Sequence, residues 1–389
     1  MNFTLTQEQQ LLRDSVARFV ADHCDVARHR QLTTTEPGFA PAAWQQFAEL
    51  GWLAVPFSEA HGGIGGNAVD VMVICEALGR GLVREPYLST VITCGALLRH
   101  GGSPAQQART IPGIIDGSAQ WAFAFADAAS GYQLAAVDCV AIVEPGGYRL
   151  NGTKAAVLNG HCADYLLVSA RVEDERDNRA GLTLFIVDAN LAGLAREPFT
   201  AMDGSRGAQL VLDNVLVGAD CVVGVPGEAC DLMTTAIDEA IVAMGAEALG
   251  AMQVLLDATV EYTRTREQFG QPIGKFQALQ HRMADMYLKV EELRSLLYNA
   301  AILMSEGSPD TALACAALKV KLAEAGRFVS QQAVQLHGGI GMTDELVVGH
   351  HFKRLLLLSM LYGDENYYLQ RYMELAEAAD SSSITAAMA

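Results

Sequence analysis

Apolar positions along the chain change period twice. From Thr6 they recur at helical spacing. In TQEQQLLRDSVARFVADHC, Leu11, Leu12, Val16, Phe19 and Val20 fall on one face. Thr6 with Gln9 three residues on forms a capping signal for that helix. Helical text continues over Pro41–Leu50 and Ala68–Gly79, joined through the glycine-rich loop His61–Asn67. From about Gly117 the pattern shortens to β-rich runs: WAFAFAD, VDCVAIVEPGGYRLNG, YLLVSARV, LTLFIVDA and AQLVLDNVLV. Pro145-Gly146-Gly147 and Asn151-Gly152 punctuate them as turns. Helical spacing returns over Asp231–Arg266, Leu279–Glu306 and Asp310–Leu336, and Gly338, Gly339 and Gly341 close the last stretch.

Helices, then strands, then helices predict an α+β chain of three regions. These are a helical domain over 1–116, an antiparallel β domain over 117–227 and a helical bundle over 228–389. The order excludes the strand–helix alternation of a Rossmann fold.

Composition narrows the functional classes. Hydrophobic residues make up 51% and charged residues 19%, the balance of a globular protein. A net charge of −18 argues against nucleic acid as a partner, and an anionic ligand would need locally clustered basic residues. Met1–Gln10 lacks the basic start of a secretory signal. The longest candidate for a membrane span, Leu355–Leu361, falls far short of the ~18 residues required. Eight cysteines show no CxxC or metal spacing, which reads as reduced thiols in a cytoplasmic protein without a metal site.

Three segments invite a chemical reading. The loop HGGIGG (61–66) has glycines suited to a phosphate, but helical text precedes it, so it reads as an ordinary connection. YTRTREQFGQPIGKFQAL (262–279) ends one helix, breaks at Gly270–Gly274 and enters another. Arg266, Phe269 and Gln277 there offer a cation, a ring and an amide at one junction, fit for a diphosphate and an adjoining ring system. A plain helical corner reads equally well. QLHGGIGMTD (335–344) closes a helix on glycines that admit close backbone approach, and His337 alone reads as a capped surface histidine.

Taken together and in order, R-x-x-F-G-x-P-I-G-x-F-Q and Q-L-H-G-G-x-G resemble the acyl-CoA dehydrogenase family over essentially the whole chain. The resemblance implies an FAD held between subunits of a dimer, usually within a tetramer. It implies that Arg266, Phe269, Gln277, Gln335, Gly338 and Gly339 reach the diphosphate and adenosine of FAD bound mainly by a neighbouring subunit. The implied reaction is α,β-dehydrogenation of an acyl-CoA, with an electron-transfer flavoprotein as the acceptor. It needs a base, a flavin and donors for the thioester oxygen.

The chain departs from the family where that chemistry is done. The family's Y-E-G-T segment matches Leu361-Tyr362-Gly363-Asp364, with Tyr362 where the base should stand, although its backbone amide could still serve the thioester oxygen. Asp364 and Glu365 lie nearby but out of register. The alternative base position, on the first long helix of the bundle, falls near Ala240, just after Asp238 and Glu239. Glu247 lies two turns further on roughly the same face of an apolar helix, with no basic residue between Arg206 and Arg264. A lone desolvated carboxylate there is a candidate base; a structural Glu bonded to an arginine of another helix is the other reading. In the β region, Ala126–Gly131 matches the family's T/S-E-P-x-A-G-S-D segment, and Ala156 and Leu158 stand where Trp-x-Thr/Ser lies against the flavin. The pattern resembles the small subunit of heteromeric pimeloyl-CoA or sterol-type acyl-CoA dehydrogenases.

Three functions follow as expectations. One is a homotetrameric FAD-dependent acyl-CoA dehydrogenase that uses Glu247. Another is a non-catalytic partner that completes the FAD site of a larger homologue in a heterotetramer. The third is a flavin monooxygenase or nitroalkane oxidase on the same fold.

Overall fold

The computed structural model describes the backbone of residues 4–172 and 181–388 and the side chains up to Ala379. The chain divides into two compact units, one formed by 1–30, 68–83 and 241–389, the other by 31–67 and 84–240.

The first unit is helical. It contains α1 (Gln7–His23), the start of α2 (Val26–Thr33) and α4 (Ala68–Arg80), α3 (Pro41–Glu49) belonging to the other unit. Thr6 and Gln9 close the capping box that the sequence signals at α1. The longest helix, α7 (Ala229–Thr265), runs into this unit from Ile241. The bundle is completed by α8 (Gln277–Ser305), α9 (Thr311–His337), α10 (Val347–Met360) and α11 (Glu365–Met388). α7 is apolar over most of its circumference, and the side chains from Ala240 to Met244 are all buried. It is long and apolar enough to cross a membrane by composition, which corrects the expectation drawn from Leu355–Leu361. Yet 83% of its most apolar window is buried inside the protein, as in a core helix.

Glycines let α4 and α7 touch backbone to backbone. A Cβ at Gly79 would lie 2.1 Å from the Glu247 carbonyl oxygen, and one at Gly250 would lie 2.1 Å from that of Glu76. Around this contact, Glu76 pairs with Arg294 of α8 at 3.4 Å, and Arg294 donates to Gln253 at 3.1 Å.

The second unit carries the remainder of α2, α3, the wide-turned π-helical stretch Tyr87–Cys94, α5 (Gly95–Gly101) and α6 (Pro104–Ile115). Its sheet runs β6 (Leu194–Thr200), β7 (Arg206–Gly218), β3 (Gly147–Leu158), β2 (Val140–Glu144), β4 (Tyr165–Val172), β5 (Leu182–Asp188) and β8 (Val222–Val223). Hairpin pairings are antiparallel as expected, but β1 (Trp121–Ala124) and β2 both pair parallel with β4. The hairpin between β2 and β3 accounts for the second of these: β3 turns back, and the next strand returns beside β2 in β2's own direction. β4 and β5 are apolar almost throughout, as strands covered on both faces must be.

The HGGIGG loop is not a phosphate cradle, and it is tied down rather than loose. Gly63, Ile64, Gly65 and Gly66 donate their amides to the carbonyls of Ser58, Ala54, Phe57 and Val55.

Candidate cofactor arm and base positions

The two motif segments meet in the helical unit. After α7, residues Glu267–Gln268 and Gln271–Pro272 pair as a two-stranded hairpin, β9 and β10. Its tip is Phe269-Gly270, both with positive φ (54° and 80°), the geometry of a tight two-residue turn. That backbone drives the Phe269 ring outward, where it is 90% exposed. Arg266, Gln277, Gln335, Gly338 and Gly339 are also exposed. Tyr262 near the end of α7 stacks on His337 at the end of α9, with centroids 4.5 Å apart and planes at 24°. His337 is buried, and its Nδ1 donates to the Ala333 carbonyl at 2.8 Å, so it is an internal strut rather than a surface cap. It holds the two segments side by side.

Gly338 takes φ 65° and ψ −141°, a conformation essentially closed to other residues. A Cβ on Gly338 or Gly339 would meet nothing within 4 Å, so the backbone faces open space. An outward cation, an outward ring and bare backbone fit a diphosphate with its attached nucleoside.

The base positions are filled differently. Ala240 is fully buried and carries no acid. Beside it, Glu239 accepts from Arg99 and, at 2.6 Å, from His100 Nε2. Burial pushes the Glu239 carboxyl up, but these two partners outweigh it and hold it below its ordinary value. Tyr362 sits at a left-handed turn with φ 59°, followed by Gly363 at 137°. Asp364 caps α11 by accepting from the Tyr367 amide at 2.9 Å, and Glu365 pairs with Arg327.

Glu247 is not alone. Arg354 of α10 reaches it from 107 positions along the chain, Nε to Oε1 at 2.5 Å and Nη2 to Oε2 at 3.0 Å. Both side chains are largely buried, 14% exposed for Glu247 and 18% for Arg354. A bidentate guanidinium occupies the carboxylate lone pairs that a base would use. Local spacing excluded an ion pair within α7 correctly, but no local rule reveals a partner on another helix.

Sequence reasoning also missed Lys319. Its side chain is wholly buried in α9, and Nζ donates to the Leu358 carbonyl of α10 at 2.5 Å. Burial lowers its ammonium to about 7, against the raising pull of Asp364.

In the sheet-bearing unit, the segment Ala126–Gly131 is occupied with itself. Lys154 Nζ, fully buried, donates to Asp127 Oδ1 at 2.6 Å, and Asp127 Oδ2 accepts from the amides of Asp138 and Cys139. Ser130 Oγ donates to the Asp127 carbonyl. Ala156 lies in a bulge of β3 with φ 52° and offers only a methyl group. A cleft of about 670 Å³ in this unit, lined by Arg109, Asp164, Tyr165, Asp188 and Cys221 among others, includes no residue of either motif.

Comparison with known proteins decides the family. The acyl-CoA dehydrogenase N-terminal, middle and C-terminal domains match residues 6–118, 122–215 and 230–374. This chain belongs to the acyl-CoA dehydrogenase family. Among curated relatives, "Probable acyl-CoA dehydrogenase YngJ" of Bacillus subtilis is 29% identical, covering 95% of this chain and 98% of that one. The mitochondrial isovaleryl-CoA dehydrogenase of Oryza sativa is 31% identical, covering 89% and 85%. Among solved structures, the Tcur3481-Tcur3483 steroid acyl-CoA dehydrogenase superposes with a TM-score of 0.87 at 31% identity, covering 97% of this chain and 100% of that one. The ChsE4-ChsE5 complex of Mycobacterium tuberculosis gives 0.88 at 30%, covering 97% and 99%. The acyl-CoA dehydrogenases are FAD-dependent oxidoreductases, and the helical, β and helical order expected from the pattern is theirs.

Proposed function

We propose that this chain is the small subunit of a heteromeric, FAD-dependent acyl-CoA dehydrogenase, in which a larger homologous subunit supplies the base. The observation that carries this reading is the Glu247–Arg354 pair, taken with Ala240 and Tyr362 at the two places where the family keeps its carboxylate. With Glu247 engaged, neither of the two family base positions offers a free carboxylate among the described residues. The exposed Arg266, Phe269, Gln277 and Gln335, with the backbone of Gly338 and Gly339, would hold the diphosphate and adenosine of FAD carried by the larger subunit. FAD, when bound, accepts the hydride from the β-carbon of the acyl-CoA. The other half of the contact set is poor: Ala156 and Leu158 have no group for a flavin ring, and Asp127 is consumed by Lys154.

The Tcur3481-Tcur3483 and ChsE4-ChsE5 structures are both named as two-component assemblies, which supports a heterotetramer over a homotetramer. An electron-transfer flavoprotein is the proposed acceptor. The three-domain division at 116 and 227 and a cytoplasmic location belong to the same reading, and the described residues contain no disulfide.

The test is FAD per subunit in the purified chain, alone and co-expressed with a larger acyl-CoA dehydrogenase homologue. A colourless chain that turns yellow only in the complex supports the proposal. A flavin in every subunit of the chain alone, bleached by an acyl-CoA, overturns it.

A further inference from the structure

Three anchors lie along one stripe of α10. His350, Arg354 and Leu358 are spaced by four residues, so they follow one another up the same side of the helix. His350 Nε2 donates to the Asp344 carbonyl at 3.1 Å, which ties down the connection between the Gly338–Met342 turn and α10. Lys353 adds a contact to Asp344 at 3.6 Å. One turn on, Arg354 grips Glu247 of α7, and one turn further the Leu358 carbonyl accepts from Lys319 of α9. The exposed glycine turn is thus mounted on a helix pinned by polar contacts to two others.

We propose that Arg354, held by Glu247, is a positioning residue for the glycine arm, fixing the register of α10 so that Gly338 and Gly339 present their backbone to the FAD diphosphate. This rests on the reading of those glycines as FAD contacts. The physical reason is directional. Apolar packing tolerates a small slide of one helix on another, whereas a bidentate guanidinium–carboxylate pair with little solvent access permits one register. Such a pair adds little net stability compared with well-packed apolar side chains, so its value lies in geometry.

The experiment is the paired substitution Glu247→Leu with Arg354→Met, made in the complex with the larger subunit. Amide exchange over residues 338–346, FAD affinity by flavin fluorescence and thermal stability are measured. Loss of register predicts faster exchange in the arm and FAD binding weaker by about tenfold, with the melting temperature little changed. Unchanged exchange and unchanged FAD affinity overturn the inference. Glu247→Gln separates it from a catalytic role. Abolished turnover with FAD affinity and arm exchange intact makes Glu247 the base and also overturns it. If the paired variant does not fold, Glu247→Gln must itself shift exchange and FAD affinity in the stated direction, or the inference falls. Should the wild-type chain bind FAD unaided, the heteromeric reading fails by itself, and the same titration on the homo-oligomer still decides the role of Arg354.

Discussion

Lys154 and Asp127 meet at 2.6 Å with 0% and 5% of their side chains exposed, joining strand β3 to the loop that follows β1. The ammonium also donates to Ser169 Oγ and the Phe125 carbonyl, so its donors are met inside the protein. Removing one partner leaves the other charge stranded. Lys154→Met is expected to cost about 3–5 kcal/mol by denaturant unfolding. A cost below ~1 kcal/mol would mean that the pair is not desolvated as described.

The arm should separate binding from stability. Arg266 is exposed, so Arg266→Ala should leave the melting temperature unchanged while FAD content of the complex falls. His337→Ala should lower both the melting temperature and the FAD content, because it removes a buried ring stacked on Tyr262. Thermal melts beside flavin absorbance test the contrast. Equal effects from the two substitutions would contradict it.

Lys319 gives the protein a pH signature. Its ammonium is lowered by burial to about 7 from the ordinary 10.5. Between those values the unfolded chain binds the proton more readily than the folded one, so stability rises with pH across that window. The slope from this one group is at most ~1.4 kcal/mol per pH unit. Lys319→Met should flatten the rise. Urea titrations from neutral to alkaline pH would show it, and parallel curves for the two proteins would refute it.

His351 acts at the other end of the scale. It is fully buried, neither ring nitrogen has a partner among the described residues, and burial with nearby His29, His350 and Arg80 pushes it down to about 3. The neutral ring is the folded form, so stability present above about 6.5 is lost as pH falls toward 3. His351→Phe should resist acid better than the parent chain in melts followed from neutral to mildly acidic pH. Identical acid midpoints would count against this account.

Legibility of the sequence followed the range of the interaction. The capping box at Thr6 is written in neighbouring residues and appears as read. So does the change from helical to strand spacing near Gly117, because a period is a local property. Parallel pairing of β1 and β2 with β4 is set by the path of the chain between strands and has no local trace. Lys319 and Lys321 look alike in ALKVKLAEAG, yet one is buried under Leu358 and the other pairs with Glu292 and Glu324 at the surface. Only the packing of α9 tells them apart. For Glu247, the apolar run announced an unusual carboxylate, while Arg354, which decides its character, is visible only in the fold.

The glycine contact between α4 and α7 sets a mutational asymmetry. At these two points no side chain separates the helices, so there is no layer to compress. A methyl group at Gly79 or Gly250 must move a whole helix, and the helix it moves carries Glu247. The smallest change in residue size at a site remote in sequence from both motifs would therefore travel by rigid displacement, through Arg354, to the glycine turn. In a survey of variants, the damaging positions of this chain would include residues that touch no ligand and bear no functional group at all.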